Sequence, residues 1–268
     1  MGPFITSTPC GTGQIGYSRR IRFAAGPLRR GRIRHRTDPK KTMNATALSE
    51  LEHARFNMVE QQIRPWDVGD EQVLQALFDV PRERYVPPPM QGLAFSDVEL
   101  PLILNAVDTR ETMLMPKVEA RLAQELLLKP TDCVLEIGTG SGYQAALLAR
   151  LAQQVTSVEV DSRLSAFGAE NLARNQVGNV KVETGDAHAG WGTTEYDAIL
   201  VTGSVPTVPD ALKYQLRIGG RLVVVVGQAP VMTAYRITRN SAASFETAPL
   251  FDTLIKPLRG VAVSQFKF

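Results

Sequence analysis

Apolar positions change their period midway along this chain. Between Asn44 and Ile63, the residues Leu48, Leu51, Phe56, Val59 and Ile63 fall roughly on one side of a helix, which Pro65 stops. A second helix is predicted from Asp70 to Phe78, with Val73, Leu74 and Leu77 facing inward. Pro81 and the run Pro87-Pro88-Pro89 then break the chain, and residues 90–115 read as irregular. A third helix opens at Pro116, a favourable first helical position. Its Val118, Leu122 and Leu126 form one stripe, and Lys129-Pro130 ends it.

From Cys133 the grammar is different. Short apolar runs at 133–137, 155–160, 180–183, 198–202 and 221–227 read as strands. Between them 143–152, 163–174 and 211–216 read as helices. Such alternation implies an α/β fold with a doubly wound, mostly parallel sheet, and the Val-rich run 221–227 should be buried on both faces. Segments 233–239 and 261–268 alternate like outer strands and suit antiparallel pairing.

Composition narrows this picture. The 268 residues, 44% apolar and 21% charged, suit one large domain or one with a small addition. The longest aliphatic run, Leu222 to Val226, is far too short to span a membrane as a helix. Cys10 and Cys133 are too few for a disulfide framework or a zinc site, and His35, His53 and His188 are too scattered to complete one, so no metal is expected.

The net charge of +3 conceals an asymmetry. Residues 1–42 hold eight Arg, two Lys and one Asp, net +9, which leaves −6 for the rest. This Gly-, Pro- and Arg-rich segment reads as a disordered basic tail or a mis-assigned start before Met43. A transit peptide, a nucleic-acid arm and a loose myristoylation pattern at Gly2 and Thr6 are the other readings. The acidic body offers no basic patch, so no nucleic-acid partner is expected.

The strongest local signal is VLEIGTGSGYQ, residues 134–144. A strand runs into Gly138-Thr139-Gly140-Ser141-Gly142 and then into a helix, whose free N–H groups can meet an anion. The dinucleotide pattern G-x-G-x-x-G fails, because Tyr143 stands where it wants glycine, and no P-loop Gly-Lys follows. G-x-G-x-G with Glu136 two residues earlier is the signature of class I S-adenosylmethionine methyltransferases. Glu159 ends the next strand, 19 residues after Gly140, where a carboxylate can accept both ribose hydroxyls. Asp186 in GDA follows the third strand and can reach an adenine amino group, with Ala187 beside it. The expected cofactor contacts are therefore Glu136, Gly138, Thr139, Gly140, Ser141, Gly142, Glu159, Asp186 and Ala187.

From about Asp70 to Pro257 the chain resembles the protein-L-isoaspartate (D-aspartate) O-methyltransferases. The likeness rests on DEQVLQAL, VPRERYV (80–86), Leu100-Pro101, VLEIGTGSGYQAALLARL, SVEV, GDA, YDAILVTGSVPTVPDAL and IGGRLVVVVG. The element with Val-Pro-Arg is its most specific part, because other methyltransferases lack it. The resemblance implies a Rossmann-like methyltransferase domain over 116–268, an N-terminal helical element with an acceptor-site loop over 43–115, and a repair enzyme. Such an enzyme methylates the α-carboxyl of isoaspartyl residues in damaged proteins, and the ester then collapses to a succinimide. The implied setting is the cytoplasm, with no membrane, and a monomer is favoured. The residues agree: an acceptor carboxyl with a pKa of about 4 is already ionised at pH 7, so transfer needs alignment more than a general base. His188, close to Asp186, reads as a half-exposed loop histidine rather than such a base.

One motif departs from the family. Its Gln-Thr-x-Ser-x-Pro falls here on Glu111, Thr112, Leu114 and Pro116, so the serine at the isoaspartyl site is Leu114. The stretch from Pro101 to Pro116 also looks longer than the family norm. Thr112, Leu114 and Thr202 are expected to border the acceptor, and no catalytic residue is assigned. Either Thr109 or Thr112 supplies another hydroxyl, or isoaspartate is handled poorly. Rival readings are a class I methyltransferase with a different acceptor, a non-catalytic S-adenosylmethionine-binding protein, and a nicotinamide-dependent enzyme.

Overall fold

Strand order is what creates the cleft. In the computed structural model, which describes residues 50–260, seven strands form one sheet in the unit Leu51–Phe268. They are β3 (Cys133–Ile137), β4 (Gln154–Glu159), β5 (Val180–Thr184), β6 (Tyr196–Val205), β7 (Leu216–Gln228), β8 (Val231–Arg239) and β9 (Phe245–Asp252). Their order is β5-β4-β3-β6-β7-β8-β9. The first five run parallel, and β8 and β9 are antiparallel to their neighbours. The chain winds outward from β3 to β5, then returns to the other side of β3 with β6. That reversal opens a crevice at the carboxyl ends of β3 and β6.

Alternation along the central strands divides the core in two. Val134, Ala198, Leu200, Val223 and Val225 pack on the face that also holds Val118, Leu122, Leu147, Leu148, Leu164 and Leu172. Leu135, Ile137, Ile199, Val201, Leu222 and Val224 pack on the other face with Leu212 and Leu216. The first group of partners comes from α3 (Pro116–Glu125), α4 (Tyr143–Leu151) and α5 (Ser162–Arg174); Leu212 comes from the short α6 (Asp210–Tyr214). Both faces are covered, so the central strands can be apolar throughout.

The amino-terminal elements add a helical layer to the first face. Helix α1, over 51–58, passes into a π-helical turn at Val59–Ile63, and Arg64–Trp66 closes it around Pro65. Helix α2 (Glu71–Asp79) starts where Asp70 accepts hydrogen bonds from the amides of Gln72 and Val73, at 2.8 and 3.2 Å.

Three expectations need correction. The stretch 90–115 is not irregular: after a 3₁₀ turn at Pro88–Leu93, β1 (Leu100–Leu104) and β2 (Val107–Met113) form an antiparallel hairpin. Its two-residue turn puts both Asn105 and Ala106 at positive φ, 50° and 63°. Asn-Ala lacks the glycine that usually announces such a turn. A bulge with Arg110 at φ 63° further hides the alternation of β2. Second, β9 lies where no strand was expected; Pro249 interrupts its pattern, which an outermost strand tolerates. Third, α6 ends at Tyr214 and Leu216 already belongs to β7. The expectations for 1–42 and for a strand at 261–268 lie outside the described residues.

Candidate active site

The glycine turn is held open by its own dihedrals. Gly138 and Gly142 have φ of +100° and +81°. A Cβ at Gly138 would collide with Thr202 Oγ1, and one at Gly142 would come within 2.9 Å of the Gly168 carbonyl. Gly138 N–H donates to Val158 O at 2.8 Å, which fixes the turn between β3 and β4. Thr202, on β6, donates to the carbonyls of Ile137 and Gly138 at 2.9 and 3.0 Å. The loop thus leans on both neighbours of β3.

A polar column supports the loop from below. Ser157 Oγ lies 2.5 Å from Glu136 Oε2 and 2.6 Å from Thr139 Oγ1. Glu136 is fully buried, and its Oε1 has no hydrogen-bond partner among the described residues. Burial pushes this carboxyl up to about 8, so it holds a proton at neutral pH. At the end of β4, Glu159 accepts from Gly140 N–H at 2.9 Å and from Asp161 N–H at 3.1 Å. Asp186, after β5, accepts from the backbone and ring of His188 at 3.0 and 2.7 Å, which holds its carboxyl below the usual range.

Across the cleft stands a wall assembled from distant segments. The β1–β2 hairpin contributes Leu102, Glu111 and Thr112, followed by Met113 and Leu114. Arg82, of the Val-Pro-Arg segment, is fully buried and donates to Leu114 O at 2.9 Å, Ala94 O at 3.0 Å and Glu119 Oε2 at 2.5 Å. It therefore pins the backbone of Leu114. Burial raises the Glu119 carboxyl, and the Arg82 guanidinium pulls it back. The strap 256–259 closes the wall: Ser204 N–H donates to Lys256 O at 2.8 Å, and Leu258 N–H to Ser204 O at 3.0 Å. The cleft between the two sides encloses about 930 Å³, part of it open to solvent.

Most of the residues singled out from the sequence meet here. Gly138, Thr139, Gly140, Ser141, Glu159, Asp186, Ala187 and Thr202 line the side of the glycine loop, and Thr112 and Leu114 line the other. Glu136 and Gly142 do not reach the wall: the first lies beneath the loop, the second packs on α5. Thr109 does not line the cleft, because its hydroxyl donates to Leu102 O at 2.7 Å. Thr112 does, though its hydroxyl donates to Glu99 at 3.0 Å. His188 is on the wall, 41% exposed. Leu102, Gln144 and the strap residues Lys256 to Arg259 were missed. The chain ordering of β1–β2 and the strap is non-local, so no spacing announces it.

These features fit S-adenosylmethionine. Gly138 and Gly140, both at positive φ and both on the wall, let a ligand approach the backbone, the Glu159 carboxylate stands at the end of β4 beside them, and the unpartnered Glu136 Oε1 lies under the same loop. Fold and site together define a class I S-adenosylmethionine-dependent methyltransferase. Within that class the chain belongs to the protein-L-isoaspartate (D-aspartate) O-methyltransferase family, whose model matches residues 54–260. A protein-L-isoaspartate O-methyltransferase of Rhodopseudomonas palustris is 42% identical over 205 residues, 76% of this chain and 92% of that one. One from Methanoculleus marisnigri is 40% identical over 207 residues, 77% and 91% of the two chains. A solved protein-L-isoaspartate O-methyltransferase shares the fold, with a TM-score of 0.66 at 24% identity, over 78% of this chain and 66% of that one. A Plasmodium falciparum structure with S-adenosyl-L-homocysteine, described under the same enzyme name, gives 0.63 at 21% identity over 78% and 97%. Among the described residues no helix is long and apolar enough to cross a membrane.

Proposed function

We propose that this enzyme methylates the α-carboxylate of L-isoaspartyl residues in damaged proteins and peptides, forming the methyl ester and S-adenosylhomocysteine. The observation that carries the reading is the wall opposite the glycine loop. Arg82 of the family-specific Val-Pro-Arg segment holds the Leu114 carbonyl, and Leu114 and Thr112 line the same cleft as the glycine loop and Thr202. When bound, S-adenosylmethionine supplies an activated methyl group on a sulfonium.

The chain's own residues bind and align. Glu159 is proposed to accept the ribose hydroxyls, and Asp186 the adenine amino group. Gly138 to Ser141 offer backbone to the rest of the cofactor. Thr112 and Thr202 bring hydroxyls to the cleft that Leu114 lines, and the apolar side chain of Leu114 replaces one hydrogen-bond donor. An ionised acceptor oxygen needs no proton removed, so holding two groups in line is the main task of the site. We also propose the cytoplasm as its compartment and a monomer as its working form.

The test is S-adenosylhomocysteine release with an isoaspartyl peptide and with its aspartyl twin. Turnover on the isoaspartyl peptide alone is expected. Equal turnover on both, or turnover on neither by protein that binds cofactor, overturns the reading. The second outcome leaves a different acceptor or a non-catalytic binding protein.

A further inference from the structure

We infer that Arg259 is a positioning residue that couples the acceptor wall to the cofactor side of the cleft. The inference rests on the assignment of the β1–β2 hairpin to the acceptor. Arg259 comes from the strap and lines the cleft. Its guanidinium bonds in three directions at once: Nε to Glu111 Oε1 at 2.7 Å, Nη2 to Thr109 O at 2.8 Å, and Nη1 to Asp161 Oδ2 at 2.9 Å. Two of these partners belong to β2 and the third to the turn between β4 and α5.

Around this clasp a continuous path can be followed. Gly140 N–H donates to Glu159, whose other oxygen accepts from Asp161 N–H. Asp161 accepts from Arg259, and Arg259 holds Glu111 and Thr109 O. Thr112 adjoins Glu111, and Leu114 lies two residues further on. Arg163 supplies a second cation to Asp161, at 2.6 Å, so Asp161 and Glu111 are matched by two guanidinium groups. Three donor directions reaching two different segments are a task for a planar fork, which a lysine cannot perform. The Arg259 side chain is 39% exposed, so solvent weakens its ion pairs as a source of stability. Its geometry instead makes it a link: what orders the Glu159–Asp161 turn also orders the hairpin. Glu111 falls where the resemblance places a glutamine, so Arg259 grips a charge there rather than a neutral amide.

The test is hydrogen–deuterium exchange of the amides of residues 107–113 in the full chain, with and without S-adenosylhomocysteine. In the unaltered enzyme the ligand should slow their exchange about fivefold or more, and in Arg259→Met it should not, while ligand affinity stays within about twofold. Equal protection in the variant, no protection in the unaltered enzyme, or a parallel loss of ligand affinity overturns the inference. Should Arg259→Met fail to fold, Glu111→Met, which removes the acceptor at the other end of the clasp, carries the test with the same outcomes. No acceptor takes part in this readout. Failure of isoaspartyl turnover would therefore sink the acceptor assignment without touching the exchange result.

Discussion

The two sides of the cleft are built in different ways. The cofactor side is one nearly continuous stretch, from β3 through the glycine turn to the end of β4, with Asp186 one strand further. Backbone dihedrals and strand ends set its shape. The side proposed for the acceptor is drawn from Arg82, the hairpin and the strap at 256–259, held by side-chain hydrogen bonds over separations of up to 150 residues. A side fixed by local backbone leaves its mark in spacing. A side fixed by cross-links between distant segments keeps its frame through backbone groups such as Leu114 O, which any side chain at that position would present.

The sharpest way to break this contrast is Gly138→Ala. A methyl group there meets Thr202 Oγ1 at a φ of +100°. Backbone strain and overpacking together should destabilise the protein by about 2–5 kcal/mol, read by denaturant unfolding. An unchanged midpoint would show that the turn is not dihedral-locked. Next comes Glu159→Ala, which removes the carboxylate from the ribose position and the acceptor for Gly140 N–H. Calorimetric titration with S-adenosylhomocysteine should show a loss of roughly 2–4 kcal/mol in binding.

Glu136 offers a test by pH. Its carboxyl, raised from about 4.5 to about 8 by burial, binds its proton more tightly in the folded chain than in the unfolded one. The folded state therefore gains most at pH below the unfolded value, and the gain is lost as pH rises toward 8. Relative to Glu136→Gln, the unaltered protein should lose on the order of 2–3 kcal/mol of stability between pH 5 and 7.5. Parallel pH profiles for the two would mean that Glu136 ionises freely.

The smallest effect belongs to the acceptor side. Leu114→Ser restores one hydroxyl, worth about 0.5–1.5 kcal/mol, so isoaspartyl kcat/KM should rise a few-fold with cofactor affinity unchanged. No rise, with intact cofactor binding, would show that Thr112 or the strap already does the serine's work.

How far the sequence could be read follows the same division. Buried parallel strands and the glycine turn were legible because period and dihedral demand are local properties. The limits of β3 were read to the residue. The hairpin was not, since its turn forces Asn105 and Ala106 into positive φ without a glycine, and its bulge at Arg110 breaks the alternation. Val-Pro-Arg could be recognised as specific, yet nothing in the string says that the Arg82 guanidinium reaches the Leu114 carbonyl 32 residues away.

By itself, then, the sequence determined the class of fold and the glycine turn between β3 and α4, because each depends on residues within a strand or turn of one another. Only the tertiary structure decided that Glu136 supports the loop from beneath rather than lining the cleft, that Thr109 faces Leu102 O while Thr112 faces the cavity, and that the strap closes the acceptor wall. Those outcomes depend on which distant backbone groups need hydrogen-bond partners once the sheet has formed, and a linear pattern carries no record of that pairing.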